Sequence, residues 1–572
     1  MRGGGPAVYK HRCLDAHMTE SLTLSADTPL AEAVIEVLKF EGTQVLSCYP
    51  TTPLIDASAK RGLRPVVCRQ ERVGVGIADG YSRTTNGAPA GVFAMQWGPG
   101  VENAFPGIAT AFSDSSPVLF LPIGYEDRDL DDPRFFTAAR LGSVAKSIQR
   151  IRSADAVGDV MRRAFSALRN GRGGPVIVEI PRSLAPAPIG ENGVRGYVGA
   201  TGTRSAGDPL AITTAARMLL QSRRPVIVAG QGVLYAQASQ ALLELAELTG
   251  VPVVVTLDGK SAFPENHPLF LGCGGASIAV PAREALRDAD LVLGVGVSFA
   301  RHPLHLPPPT AEQTVVHITN DERDINRHCQ ADCPILGDAQ LVLTALLAEL
   351  HELHADLPDR TGRRDEILDS RQRWLAEWAP RLRSAERPIG HYRVVNALTR
   401  VLEPRQAIVT HDSGSPREQI VPFYPAGQPR SYLGWGRSHA LGTGLGLIMG
   451  AKLAAPDKVC VNVMGDAAFG MVGLDFETAV RENIPIVTVV LNNSSMATES
   501  HALRVSHDLY GTRNIGGRYA DLATAMGGWS VRIDEPENLE AGLASAIKVA
   551  DEGSAALVEI VTSPEMTPFT GR

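Results

Sequence analysis

Two polar residues follow neighbouring apolar segments in the last third of the sequence. Asp466 comes after residues 459–464 (VCVNVM), and Asn493 comes after the largely β-branched residues 486–491 (IVTVVL), 27 positions further along. Both segments are predicted to be buried parallel strands, which read as continuous apolar runs. Parallel strands place their C-terminal ends at one edge of a sheet, where ligands bind. A carboxylate and an amide carbonyl at that edge would suit Mg²⁺, which shares its other positions with phosphates and water.

The segment between these strands predicts a turn followed by a helix. Gly465 and Asp466 are expected to stop the first strand at a turn. Asp475 then opens an amphipathic stretch with apolar residues on one side, which ends at the dipeptide 484–485 (IP) because a residue before proline disfavours the helical region. Taken alone, the stretch is also compatible with an ordinary βαβ unit that has an acidic turn.

The same alternation of strand and helix runs through the chain and predicts an α/β fold. A chain of 572 residues should hold roughly three to four domains. We predict three doubly wound parallel-sheet domains at 27–190, 205–352 and 373–572, after a flexible tail at 1–26. The segments 190–208, rich in glycine, and 353–371, charged and containing a proline, are predicted to be linkers.

Composition excludes several classes of function. Hydrophobic residues make up 44% and charged residues 20% of the chain, as in ordinary globular proteins. A net charge of −7 gives no basic footprint for nucleic acid, and no apolar run is long enough to span a bilayer. Seven scattered cysteines without a CxxC pair predict reduced thiols. We therefore expect a cytoplasmic protein that binds neither nucleic acid nor membrane.

The stretch 464–493 resembles the signature of thiamine-diphosphate enzymes, in which Gly-Asp-Gly is followed, after a spacer of similar length, by Asn-Asn. Here Asn492 and Asn493 match, whereas Ala467 replaces the third residue of Gly-Asp-Gly. The replacement adds one methyl group and matters only if the position needs a positive φ.

A second resemblance lies near the N-terminus. Glu71 is followed by residues 78–83 (ADGYSR), then by 98–100 (GPG) and Asn103. This order is similar to the pyrimidine-binding domain of the acetolactate synthase branch, in which the matching glutamate is catalytic. An isolated Glu71 could equally be a solvated carboxylate favoured by the helix dipole. The histidine that precedes the glutamate in that family is Gln70 here.

The resemblance implies a set of site residues. Glu71 would bond the aminopyrimidine ring and favour its imino tautomer, and Leu441 would hold the cofactor in a bent shape. The side chains of Asp466 and Asn493 and the backbone carbonyl of Ser495 would hold Mg²⁺ against the diphosphate. The other implied cofactor contacts are Ser413, Gly414, Gly465, Ala467, Ala468 and Met496. A carboxyl in the position of Glu71 works best with a pKa raised by an apolar site.

The middle domain of the same family holds FAD in some relatives, and ADP or nothing in others. Residues 225–233 (PVIVAGQGV) open such a unit, but their glycine pattern is not GxGxxG. Residues 297–309 (VSFARHPLHLPPP) also differ from the Phe-Asp-Asp-Arg wording of the relatives that hold FAD. These differences favour a middle domain without FAD and leave FAD open.

The activity that the resemblance implies is decarboxylation of a 2-oxo acid and coupling of the resulting carbanion to a second carbonyl compound. The alternatives are a 2-oxo acid decarboxylase, a 2-hydroxyacyl-CoA lyase, a flavin-linked 2-oxo acid oxidase and a catalytically silent relative. Three stretches that face substrate in the family differ here, so pyruvate need not be both donor and acceptor: 49–52 (YPTT), 413–416 (SGSP) and 496–499 (MATE). The family also implies a homodimer or homotetramer with active sites at the subunit interface.

Overall fold

The fold is described from a computed structural model. The described residues are 21–129, 137–275, 277–302, 306–353, 357–499 and 502–564. Most of the predicted tail, and the last residues of the chain, therefore lie outside the described residues. Within 21–26, the N–H groups of Leu22 and Leu24 donate to the carbonyls of Tyr197 and Val194 at 2.8 and 2.9 Å. This part of the predicted tail is therefore bonded to the first domain.

In the described part of the chain, the first domain is built on a six-stranded parallel sheet. Its strands are β1 (Val45–Tyr49), β2 (Arg64–Val67), β3 (Gly91–Met95), β4 (Val118–Gly124), β5 (Ser147–Arg150) and β6 (Val176–Pro181). Its helices are α1 (Leu30–Phe40), α2 (Thr52–Lys60), α3 (Glu71–Thr84), α4 (Pro99–Ser113) and α5 (Val157–Arg169). The strand order is β2-β1-β3-β4-β6-β5.

The middle domain also has a six-stranded parallel sheet. Its strands are β7 (Pro225–Ala229), β8 (Val253–Val255), β9 (Phe270–Cys273), β10 (Leu291–Val295), β11 (Thr314–Thr319) and β12 (Cys333–Leu336). Its helices are α6 (Pro209–Gln221), α7 (Gln231–Tyr235), α8 (Ser239–Thr249), α9 (Val280–Arg287) and α10 (Ala339–Glu352). The strand order is β12-β11-β10-β7-β8-β9.

The third domain follows the helix α11 (Thr361–Leu382). Its strands are β13 (Ala407–His411), β14 (Tyr432–Leu433), β15 (Val459–Gly465), β16 (Val487–Asn492), β17 (Trp529–Ile533) and β18 (Ala556–Val561). Its helices are α12 (His391–Leu402), α13 (Ser415–Ile420), α14 (Thr443–Ala454), α15 (Asp466–Val472), α16 (Phe476–Arg481), α17 (Arg504–Tyr510), α18 (Tyr519–Ala525) and α19 (Leu539–Asp551). The strand order is β14-β13-β15-β16-β18-β17.

The predicted α/β class with three parallel sheets is confirmed. Strand β16 illustrates why the sequence predicts parallel sheets, since all of its residues are buried. It lies between β15 and β18, with Val487 paired to Val461 on one side and to Ala556 on the other. A strand in this position needs apolar side chains on both faces, as the sequence supplies. Among the described helices, none is long and apolar enough to cross a membrane.

The turn predicted at Gly465 and Asp466 is wrong in detail. Strand β15 runs to Gly465, and α15 begins directly at Asp466. A carboxylate in the first turn of a helix is favoured by the positive end of the helix dipole, so Asp466 can start a helix as readily as a turn.

The charged segment 353–371, predicted as a linker, is helical from Thr361 onward. Its charges occupy the exposed side of α11, and its buried residues recur at the spacing of one helix face. These buried residues are Ile367, Trp374 and Trp378. The segment therefore packs against the protein instead of spanning a gap.

The first and third sheets have the same strand order when each is counted along its own part of the chain. In both, the edge strand (β2 or β14) precedes a helix (α3 or α14) that leads back to the third strand of its domain. The two domains are therefore built alike, and α3 and α14 occupy equivalent places.

Helices α3 and α14 lie side by side, with backbone against backbone. A Cβ added to Gly446 would lie 2.6 Å from the carbonyl oxygen of Val73, and one added to Gly450 would lie 2.0 Å from that of Ile77. From the first of these contacts to the second, the position advances four residues along each helix. The two helices therefore run in the same direction and begin at the same end of the pair. Glu71, the first residue of α3, is thereby brought to the end where the third domain presents the loop before α14.

Candidate active site

Asp466 joins the ends of two neighbouring strands. Its Oδ1 accepts the N–H of Ala467 at 2.8 Å, and its Oδ2 accepts the N–H of Ser494 at 2.7 Å. The residue is only 3% exposed. Burial raises the pKa of Asp466, while the N–H groups of Ala467 and Ser494 oppose the rise. The ends of β15 and β16 therefore meet at one carboxylate, as predicted from the parallel strands.

The two asparagines at the end of β16 have different environments. Asn492 is buried, and its Nδ2 donates to Glu559 Oε1 at 2.7 Å, so it braces the strand end against β18. Asn493 is half-buried, and its Oδ1 accepts the N–H of Ser495 at 3.0 Å. Ser494, which follows the two asparagines, has a φ of +53°, which turns the chain sharply. Asn493 is therefore the asparagine placed to reach a ligand.

The oxygen atoms at this corner suit a hard divalent cation. Each oxygen of Asp466 accepts one backbone N–H, and a carboxylate oxygen has capacity for a second partner. The Oδ1 of Asn493 and the carbonyl of Ser495, which accepts the N–H of Ala497 at 2.8 Å, have the same spare capacity. Among the described residues, no three His, Cys, Asp or Glu side chains group together to hold a metal. A cation here would therefore rely on one carboxylate and neutral oxygens, which Mg²⁺ accepts.

The turn at Ser413 and Gly414 lies against the same corner. Gly414 has a φ of +88°, and a Cβ there would lie 3.7 Å from Thr498 Oγ1. A Cβ on Gly465 would lie 3.8 Å from Cγ of Pro416. The ends of β13, β15 and β16 thus converge, and the predicted residues on these segments are brought together.

The other residues predicted on these segments differ in exposure. Ala467 lies in α15 and is not among the described residues with positive φ, so its backbone does not require glycine. Ala468 is fully buried in the core. Met496 is 40% exposed, which leaves its side chain accessible at the rim of the corner.

Asp412 organises the loop before α14, a role that the sequence reading missed. It is fully buried, and its carboxylate accepts the N–H groups of Ser413, Gly442 and Gly444 at 2.8, 2.9 and 2.9 Å. Burial raises the pKa of Asp412 to about 6, while these N–H groups oppose the rise. The carboxylate ties the turn after β13 to the two glycines that follow Leu441. Its position directly after a strand, like that of Asp466, is the signal that could have found it.

Glu71 is a buried acid at the start of α3. It is 2% exposed, and a Cβ on Gly100 would lie 3.5 Å from its Oε1. Burial raises the pKa of Glu71, its own backbone N–H and the Asn103 side chain oppose the rise, and Asp475 of the third domain adds to it. The solvated carboxylate that an isolated glutamate could have been is thereby excluded.

Arg72 links the first domain to the loop at Leu441. Its guanidinium donates to the carbonyl oxygen of Leu441. Leu441 is half-buried against a core cluster shared by the two domains. Next to Glu71, the Oε1 of Gln70 is buried and, within the described residues, accepts no hydrogen bond, so a bound ligand could satisfy it. Glu71 and Leu441 thus lie at one end of the α3/α14 pair. Asp466 is not among the groups that shift the pKa of Glu71.

Three protein-family profiles match the chain in succession. "Thiamine pyrophosphate enzyme, N-terminal TPP binding domain" matches residues 28–143. "Thiamine pyrophosphate enzyme, central domain" matches residues 212–346. "Thiamine pyrophosphate enzyme, C-terminal TPP binding domain" matches residues 412–560. Each profile falls on one of the three sheets.

Curated relatives match over nearly the whole chain. The "Probable acetolactate synthase large subunit" of Methanocaldococcus jannaschii is 31% identical over 95% of this chain and 94% of its own. The "Acetolactate synthase isozyme 3 large subunit" of Escherichia coli is 29% identical over 93% and 94% of the two chains. The "Acetolactate synthase large subunit" of Haemophilus influenzae is 28% identical over 91% and 92%.

The domain matches, the strand orders and the convergence of strand ends all support membership of one enzyme family. The length of the matched regions leaves none of the three sheets unaccounted for. The chain belongs to the thiamine pyrophosphate-dependent enzymes, in their acetolactate synthase-like branch.

Proposed function

We propose that the protein is a thiamine diphosphate- and Mg²⁺-dependent carboligase that decarboxylates a 2-oxo acid and couples what remains to a second carbonyl compound. The observation that carries the proposal is the position of Glu71. This buried acid begins α3 at the end of the α3/α14 pair where Arg72 bonds Leu441. The curated relatives named acetolactate synthase support the same reaction class.

Thiamine diphosphate, when bound, would supply a carbanion equivalent at its thiazolium C2. The raised pKa of Glu71 favours a carboxyl that can hold or release a proton at the pyrimidine ring nitrogen. Asp466, Asn493 and the carbonyl of Ser495 would hold Mg²⁺ against the diphosphate, and Leu441 would support the bent cofactor. The remaining cofactor contacts in the proposal are Ser413, Gly414, Gly465, Ala467, Ala468 and Met496.

A decarboxylase or a 2-hydroxyacyl-CoA lyase would need the same cofactor residues. The substrate side of the site separates these reactions from coupling, and three of its stretches differ from the family wording. We therefore leave donor and acceptor open within 2-oxo acids and carbonyl compounds.

The proposal does not require FAD. The backbone N–H of Gly230 donates to the carbonyl of Val295, and that of Gly232 donates to the carbonyl of Gly296, both at 2.9 Å. The N–H groups that a pyrophosphate would use at this glycine pair are therefore bonded within the domain. A flavin-linked oxidase would instead purify as a yellow protein.

We further propose that the active unit is a homodimer or a dimer of dimers in the cytoplasm, with active sites at the subunit interface. Two apolar patches lie next to the proposed site: Phe105 and Phe112 on α4 are 36% and 40% exposed, and Met471 and Leu474 after Asp466 are 50% and 60% exposed. A second copy that covers both patches would remove them from water. Light scattering of the purified protein measures this directly.

The test of the proposed function uses purified protein reconstituted with thiamine diphosphate and Mg²⁺. A panel of 2-oxo acids is supplied with and without aldehyde or ketone acceptors, and CO₂ and products are followed by mass spectrometry. Glu71→Gln should abolish product formation. Glu552→Gln, on an exposed glutamate of the C-terminal helix region, serves as the matched control.

Each outcome of this assay has a distinct meaning. Acyloin that disappears only in Glu71→Gln supports the carboligase and identifies its substrates. Aldehyde without coupling indicates the decarboxylase. If the wild-type protein neither binds thiamine diphosphate nor turns over any acid, the catalytic proposal is wrong and a silent relative remains.

A further inference from the structure

A pair of histidines lies where the middle domain meets the third domain. The Nε2 atoms of His302 and His439 are 3.3 Å apart, and the ring centroids are 4.9 Å apart with the planes at 20°. Arg417 Nη1 lies 2.7 Å from His439 Nδ1. Arg417 is 4% exposed, whereas both histidines are half-buried. The three side chains form a continuous chain of nitrogen atoms from the protein interior toward the surface.

Arg417 gives this chain a direction. A guanidinium can only donate, so Nδ1 of His439 accepts and the proton of its neutral ring is on Nε2. That Nε2–H points at His302 Nε2, which therefore accepts and leaves the proton of His302 on Nδ1. The same geometry argues against a metal between the two rings, because the Nε2 of His439 carries a proton.

Two sequence positions and one hydrogen bond link the pair to the proposed cofactor site. His439 is two residues before Leu441, and Arg417 is in α13, which starts directly after the Ser413–Gly414 turn. Ser438, next to His439, bonds Thr110 at 2.8 Å on α4, the helix that carries the Asn103 bonded to Glu71. His439 has a φ of +54°, which is uncommon for a residue with a side chain and clusters at functional sites.

The surroundings of His302 favour its neutral form. Burial lowers the pKa of His302, Arg437 and Arg417 lower it further, and Asp114 opposes them. Among the described residues, the charged groups that act on His302 are Arg417, Arg437 and Asp114, and Glu418 and Asp258 pair with the two arginines. Because each arginine is paired with a carboxylate (Glu418 at 2.6 Å and Asp258 at 3.1 Å), the site has little net charge.

Building on the proposed carboligase function, we propose that the His302–His439 pair delivers the proton that the coupling reaction consumes. The balance is R–CO–COO⁻ + R′–CHO + H⁺ → R–CO–CH(OH)–R′ + CO₂. The bond to the carboxylate carbon breaks, its electron pair forms the new carbon–carbon bond, and the proton ends on the oxygen of the acceptor carbonyl. His302 gives the proton on its Nδ1 to that oxygen as the proton on His439 Nε2 moves to His302 Nε2, and a proton taken from water at His302 Nδ1 then restores both neutral rings. Arg417 is the positioning residue that orients His439.

The test compares His302→Gln and His439→Gln with His351→Gln, a control on an exposed histidine at the end of α10. We expect kcat for coupling to fall by about 10²–10³-fold in the first two variants, the range of a lost general acid. Thiamine diphosphate affinity should stay at the wild-type value. The pH dependence of kcat should differ from that of the wild type in both variants.

Chemical rescue keeps the test independent of folding. In His302→Ala, added imidazole should restore kcat in proportion to its concentration, which a structural role for His302 would not allow. Arg417→Lys should lower kcat by about tenfold and change its pH dependence, because a lysine ammonium cannot reproduce the planar guanidinium that orients His439.

The results separate this inference from the function on which it rests. A wild-type protein that does not bind thiamine diphosphate contradicts the proposed function itself. An active wild type whose His302 and His439 variants keep kcat and pH profile overturns the inference alone. A rise in KM for the 2-oxo acid with unchanged kcat also overturns it, since the pair would then bind substrate instead of moving a proton.

Discussion

Replacing Gly446 with alanine should separate the two helices that bring Glu71 and Leu441 to one place. The added Cβ would lie 2.6 Å from the carbonyl oxygen of Val73, about 0.8 Å short of the 3.4 Å at which ordinary contact begins. Overpacking of this kind costs about 1–3 kcal/mol, and the better helix propensity of alanine returns up to about 1 kcal/mol. We therefore expect the free energy of unfolding to fall by about 1 kcal/mol.

Activity should suffer more than stability in this variant. A displacement near 1 Å of reacting groups costs on the order of 10²-fold in rate. Since α3 must move away from α14 by a similar distance, we expect kcat to fall by about 30–100-fold. Thiamine diphosphate affinity should change little, because the proposed diphosphate contacts all lie in the third domain.

Gly470→Ala is the matched control for Gly446→Ala. Gly470 also lies in a helix of the third domain, but a Cβ there would meet nothing within 4 Å. Denaturant unfolding and steady-state kinetics are measured for both variants. If they cannot be distinguished in unfolding free energy and kcat, then the α3/α14 contact does not position Glu71.

Three further predictions concern single buried groups. Asp412→Asn replaces one carboxylate oxygen by an NH₂ group, which would face the N–H of Gly444 while the remaining oxygen still accepts from Ser413 and Gly442, so thiamine diphosphate affinity should fall about tenfold in a titration of the apoprotein, the cost of about one unsatisfied bond; unchanged affinity would contradict this role. Asp466→Asn should raise the Mg²⁺ concentration for half-maximal activity at least about tenfold, because a charged ligand is lost; a Mg²⁺ titration after EDTA dialysis measures it, and an unshifted curve would rule Asp466 out as a ligand. Burial lowers the pKa of His391 from 6.5 to about 4, so the unfolded chain binds the extra proton and stability falls as pH drops through this window. His391→Gln should reduce that loss by up to about 3 kcal/mol in urea unfolding at pH 7 and pH 4.5, and an equal loss in both proteins would show that His391 is not responsible.

The parts of the site that depend on strand ends were accessible from the sequence. Asp466 and Asn493 each follow an apolar segment, and parallel pairing alone brings such residues to one edge. The fold class followed from the same alternation, since a strand buried on both faces has a recognisable composition.

The parts that depend on contacts between distant segments were not accessible in this way. Asp412 bonds Gly442 and Gly444, which are 30 and 32 positions away, and His302 meets His439 across 137 positions and two domains. The spacing of apolar residues in a sequence indicates which residues share one face of a helix or strand. It carries no information about which loops come into contact in the fold. Helix α11 was missed for a different reason: its few buried residues are diluted by charge, so composition outweighed spacing.

The shared strand order of the first and third sheets has a consequence for how the molecule arose. Two domains of one architecture that pack through equivalent helices are the expected product of duplicating a single α/β unit. The copies have since divided their tasks, because α3 begins with the acid Glu71 whereas α14 follows the apolar Leu441. An ancestral pair of identical units would have formed the same cleft twice by symmetry. In the proposed site one copy would supply the acid Glu71 and the other the apolar support Leu441, so neither copy alone would hold both.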